Sequence, residues 1–129
     1  MQRPFVFLAT PDPEFERLAI DAILTTRRGV RRARTLEAAC DSLAEGAHHL
    51  ALAVVDVTRH GFGEKLLAVL NGLRADFPVL AIVDEDVDLP EEIAAWGGLV
   101  FATLAKADAP ANLVPHLRDL CAAQALCAA

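Results

Sequence analysis

The chain has 129 residues, 54% of them hydrophobic and 5% aromatic, with a formal net charge of −6. That length predicts one domain with a core built from Ala, Leu and Val; the composition excludes a disordered chain, and the acidic balance argues against nucleic-acid binding, which needs a basic surface. No apolar run reaches the roughly 18 residues of a membrane span or the form of a signal peptide, and the three cysteines, Cys40, Cys121 and Cys127, show no metal-ligand spacing, so a soluble cytoplasmic protein with reduced thiols is expected.

Phe5 to Ala9 reads as a first strand. Asp12-Pro13-Glu14 then opens a helix, with a capping carboxylate, a proline at the first helical position and an acid at the positive dipole end. Phe15, Leu18, Ala19, Ala22 and Ile23 line one face of it. A second strand is predicted over Val30 to Arg34, followed by a helix capped by Thr35, carrying Leu36, Ala39, Cys40 and Leu43 and closed by Gly46. Leu50 to Val55 is the most apolar run and reads as a central parallel strand covered on both faces. Gly61 and Gly63 lead into a third helix with Leu66, Leu67, Leu70 and Leu73 buried, ended by Asp76-Phe77-Pro78. Val79 to Val83 is a fourth strand, and Asp88-Leu-Pro-Glu-Glu starts a fourth helix that packs through Ile93 and Trp96 and stops at Gly97-Gly98. Leu99 to Leu104 is a fifth strand. Leu113, Leu117, Leu120 and Cys121 mark a last helix, in which Pro115 is placed early enough to set the helix direction.

Five strands alternating with helices require a parallel sheet with right-handed crossovers. The predicted fold is a flavodoxin-like (βα)5 three-layer sandwich of order 2-1-3-4-5, with residues 1–121 as the domain and 122–129 as a tail, either frayed or a helix leading into a further module. Asp56 closes the central strand and so emerges at the carboxyl edge of the sheet, where such folds bind ligands. Thr10-Pro-Asp-Pro opens the first helix without glycines or free amides at its prolines, which disfavours a nucleotide phosphate site. His48 and His49 are adjacent and point apart, as in a surface turn. Arg27, Arg28, Arg31, Arg32 and Arg34 gather positive charge at the end of the first helix and in the second strand, where they complement the helix dipole or form a patch for an acidic partner.

The five βα units, Asp56, Gly63 with Leu66 and Leu67, Pro78-Val-Leu-Ala-Ile-Val and Lys106 just past the fifth strand together resemble the receiver domain of two-component response regulators. The resemblance implies that Asp56 stands at the phosphoacceptor position and Lys106 at that of the lysine that neutralises the acyl phosphate. In that family Mg²⁺ is held by the aspartate, an acidic pair after the first strand and a backbone carbonyl. A Ser or Thr ends the fourth strand, and an aromatic on the fifth strand follows its movement. Here the acidic pair falls on Thr10-Pro11 or Ala9-Thr10, leaving Asp12 as the nearby acid. Val83 replaces the hydroxyl, and His60 and Ala107 replace two prolines. Thr103 stands at the aromatic position, with Phe101 two residues away on the same strand face.

These departures favour a degenerate receiver that is not an enzyme, holds no cofactor and pairs Asp56 with Lys106 as an internal ion pair. It would act by docking a protein partner or output module, or a second copy of the chain, through the fourth helix, fifth strand and last helix. One alternative keeps phosphorylation at Asp56, with Mg²⁺ held by Asp12, Asp56 and Asp84, the last from the acidic run Asp84, Glu85, Asp86 and Asp88; caps and dipole partners are the competing use of such acids. Another rests on Asp88-Leu-Pro, Gly97-Gly98-Leu-Val-Phe and Ala109-Pro110, which resemble the receiver-like amino-terminal wing of ornithine, lysine and arginine decarboxylases.

Overall fold

A computed structural model describes residues 5–46, 49–58, 62–72, 77–84 and 100–128. Strands β1 (Phe5–Ala9), β2 (Gly29–Ala33), β3 (Leu50–Asp56), β4 (Val79–Val83) and β5 (Val100–Ala105) form one five-stranded sheet of order β2-β1-β3-β4-β5. All four pairings are parallel. The expected flavodoxin-like order is therefore the observed one.

Helix α1 (Pro13–Leu24) starts as the sequence requires: the Asp12 side chain accepts from the amides of Glu14 and Phe15, and Pro13 occupies a first-turn position that needs no amide. Helices α2 (Leu36–Gly46) and α3 (Phe62–Gly72) follow β2 and β3. A 3₁₀ turn, Lys106–Asp108, joins β5 to the last helix, α4 (Ala109–Ala128). Pro115 lies inside α4, beyond its first turn. It therefore removes an interior hydrogen bond and does not set the direction from which the chain enters the helix. Strand β2 ends at Ala33, one residue before the predicted Arg34, whose side chain pairs with Glu16. The fourth helix expected from Asp88, with Ile93, Trp96 and Gly97-Gly98, lies outside the described residues, as do Leu73 and Leu99.

The sheet separates two apolar layers, as the alternation of side chains along a strand dictates. On one face Val6, Leu8, Leu52, Val54, Leu80 and Ile82 pack under α1 and α4, against Phe15, Ala19, Ile23, Leu113 and Leu117. On the other, Phe7, Ala9, Ala53, Val55, Val79 and Ala81 pack against Ala39 and Leu43 of α2 and Leu66, Leu67 and Leu70 of α3. Every residue of β3 is buried, so its continuous apolar run reflects cover on both faces. Gly63 lets α3 begin hard against the end of β3: a Cβ there would lie 2.4 Å from the Asp56 carbonyl oxygen and 2.7 Å from Val57 Cα.

Candidate functional site

The two-residue period of the strands places the site. Asp56 is in phase with Leu52 and Val54, and Thr10 with Val6 and Leu8, so both end their strands on the face under α1 and α4. Because β1 and β3 are neighbours, the two side chains meet at the carboxyl edge, beside Asp12 at the start of α1 and Lys106 at the end of β5.

Asp56 is 0% exposed. Its Oδ2 accepts from the Thr10 hydroxyl at 2.6 Å and from Lys106 Nζ at 3.1 Å. Its Oδ1 accepts from the Thr58 amide at 2.9 Å and the Thr58 hydroxyl at 2.5 Å. A carboxylate offers about four lone-pair sites, and protein donors take them all. Lys106 Nζ also reaches Asp12 Oδ2 at 2.9 Å and the Thr58 hydroxyl oxygen at 3.3 Å, and sits 5.4 Å from the centroid of the Phe15 ring. The Asp12 amide donates to Thr10 Oγ1 at 3.1 Å, so Thr10 links both acids. Among the described residues, no buried side-chain nitrogen or oxygen lacks a partner.

The electrostatics follow from this geometry. Burial pushes the Asp56 carboxyl up, but the bonds from Thr10, Thr58 and Lys106 outweigh it, and the net position is below the ordinary value of 3.8. The Lys106 bond holds Asp12 below its ordinary value too. Burial works against the Lys106 charge, yet Asp12 and Asp56 together raise it above 10.5. All three groups are charged over the whole neutral range.

Of the residues singled out in the sequence, Asp12, Asp56 and Lys106 come together. Asp84 is exposed just past β4, and no hydrogen bond or ion pair joins it to the other three. Among the described residues, no group of at least 3 His, Cys, Asp or Glu side chains converges as a metal site requires. A divalent cation needs free oxygen donors. The Asp56 oxygens are filled, and Asp12 divides its own between the α1 amides and Lys106. The residues as placed do not fit Mg²⁺; the cation they share is the lysine ammonium. Val83 is apolar and buried where a hydroxyl would end β4, and His60, Glu85, Asp86 and Asp88 lie outside the described residues.

Two members of the site were not singled out from the sequence. Thr10 carries a signal, being in phase with Val6 and Leu8 one residue beyond β1. Thr58 carries another, the two-residue spacing by which an aspartate accepts from a backbone amide ahead of it.

No protein-family model matches the sequence, and no curated protein is significantly similar to it. Solved structures are similar. NtrX from Brucella abortus superposes with a TM-score of 0.80 at 14% identity over 95% of this chain, which spans 27% of that longer protein. A response regulator receiver domain protein from Clostridium thermocellum gives 0.79 at 13% identity, covering 95% of this chain and 97% of the other. The signal receiver domain of an HD domain-containing protein from Pseudomonas fluorescens Pf-5 gives 0.79 at 18% identity, covering 95% and 98%. The fold is that of response regulator receiver domains. Nothing in these neighbours supports the decarboxylase-wing alternative, and most of the residues on which it rested lie outside the described ones.

Proposed function

We propose that this chain is a non-enzymatic, cytoplasmic receiver-type regulatory domain that acts by protein contact, with its central aspartate held permanently by the fold. The observation that carries this reading is the saturation of Asp56. Attack on a phosphoryl group needs an oxygen free to approach phosphorus and a counter-charge for the developing transition state. Here each oxygen holds two bonds, and both must be rearranged before that oxygen is free. Val83, in place of a hydroxyl, gives β4 no donor that could report an added phosphoryl group. A domain so arranged presents a fixed surface. In this reading residues 1–121 form the body, the end of α4 extends towards an output module, and the partner or a second copy meets β5, α4 and the segment between β4 and β5.

Intact-mass measurement tests this after incubation with millimolar acetyl phosphate and Mg²⁺, with beryllofluoride spectra in parallel. The expected result is no adduct and no change at the site. A mass gain or spectral change that disappears in Asp56→Asn would instead establish the phosphoacceptor.

A further inference from the structure

The arginines at the end of α1 and along β2 are not used by the Asp56 network, and they divide by surroundings. Arg34 and Arg32 pair with the buried Glu16 at 2.9 and 3.5 Å, and Arg31 lies over the Phe5 ring at 5.0 Å. Arg27 and Arg28 instead line a cleft of about 330 Å³ together with Thr25, Thr26, Arg118 and Cys121. It opens where the end of α1 meets α4, at the edge of the sheet opposite Asp56.

The last carbonyls of α1 are already capped, so neither Arg27 nor Arg118 is needed to cap them. Asp21 O accepts from the Thr25 amide at 3.3 Å, Ile23 O from the Thr26 amide at 3.0 Å and Leu24 O from the Arg27 amide at 3.1 Å. The Thr25 and Thr26 hydroxyls cap Ala22 O and Ile23 O, each at 2.6 Å. Arg27 also sits at φ 63°, the left-handed conformation in which a helix end ordinarily carries glycine and a side chain is strained. Among the described residues neither Arg27 nor Arg118 pairs with a carboxylate. Arg28 lies against the Cys121 thiol, whose pKa burial pushes up, so no thiolate neutralises the cleft.

We propose that this cleft docks an acidic segment of a partner protein, with its carboxylates on Arg27 and Arg118 and an apolar side chain over Leu24. Leu24 ends α1 next to Thr25 of the cleft lining and, at 55%, is the one large apolar residue exposed among the described residues. A chain of net charge −6 repels an acidic partner over most of its surface, which orients such a partner towards this patch. Guanidinium forks match carboxylates two bonds at a time. A free phosphate finds no converging backbone amides here, and the threonine protons are already donated. Among the described residues no aromatic side chain lines the cleft to stack a nucleotide base. This inference is independent of how Asp56 behaves.

The test is an amide-resolved NMR titration of the full chain with a synthetic acidic helical peptide of Glu, Ala and Leu, beside a Lys-for-Glu control and inorganic phosphate. The acidic peptide should move the amides of Thr25, Thr26, Arg28 and Cys121, with binding weakened about tenfold by the double change Arg27→Gly, Arg118→Gln and by added salt. Glycine suits φ 63°, so that variant keeps its fold. Leu24→Ser should weaken the peptide several-fold and leave any phosphate response unchanged. Equal responses to phosphate and peptide without dependence on Leu24 would replace the proposal with a small-anion site. Perturbations confined to another face, or none at millimolar peptide, would overturn it.

Discussion

A carboxylate withdrawn from solvent keeps its charge only when the surroundings replace the water it has lost, and at Asp56 three hydroxyl or amide donors and one ammonium do so. This sets the pH behaviour of the molecule. Asp56 and Asp12 titrate below their ordinary 3.8 in the folded state, so their contribution to stability is complete above that value and is lost as pH falls through the lower folded one. Lys106 titrates above 10.5, so its contribution is complete below that value and is lost as pH rises through the higher folded one. Urea unfolding across pH should therefore show a plateau with an acid limb and an alkaline limb. Lys106→Met should cost about 2 kcal/mol, less than the ~3–5 of a fully buried pair because the lysine side chain is 26% exposed. It should also shift the acid limb upward and remove the lysine's alkaline contribution; unchanged limbs would disprove the coupling. Asp56 is legible in sequence because it directly closes a strong apolar run, and Lys106 through the receiver resemblance, which places it just past the fifth strand. Thr10 and Thr58 are not, since a threonine beside a strand is common and only the β1–β3 pairing brings Thr10 to the acid.

At the scale of the element, the site depends on how tightly α3 follows β3. The Cβ that Gly63 lacks would meet backbone, the Asp56 carbonyl and Val57 Cα, and backbone cannot rotate aside as a side chain can. Gly63→Ala should therefore push the first turn of α3 outward, cost about 1–3 kcal/mol as overpacking does, and loosen the Thr58 clamp. Urea midpoints together with the Thr58 amide resonance measure both effects. An alanine variant of unchanged stability would mean that α3 yields freely. The strands and the α1 cap are readable beforehand because their signals are local: the apolar runs, and Asp12 with Pro13 in front of a periodic face. The position of Pro115 is less so. Ala109-Pro110 and the 3₁₀ turn before it start α4 early, and no local rule says how many residues such a turn takes.

For the whole molecule, parallel topology and the two-sided core follow from counting βα units, and the acidic net charge hides an uneven distribution, with Arg27, Arg28 and Arg118 around one cleft and the Lys106-centred triad at the carboxyl edge. The sequence lacks an acidic pair after β1, and in the structure Asp12 and Asp56 share the Lys106 ammonium. These two facts make one thermodynamic prediction. A ligand that binds only the folded state raises its stability by an amount fixed by concentration over dissociation constant, about 1.4 kcal/mol at tenfold excess, or about 4–6 °C in Tm for a domain of this size. Magnesium that had to displace Lys106 would gain little of this. Melting in millimolar Mg²⁺ should therefore coincide with melting in EDTA, and Lys106→Met, which vacates the shared position between Asp12 and Asp56, should be the variant in which Mg²⁺ raises Tm. A rise of several degrees in the unsubstituted chain would mean that the ammonium is readily displaced and that the carboxyl edge is a metal site after all.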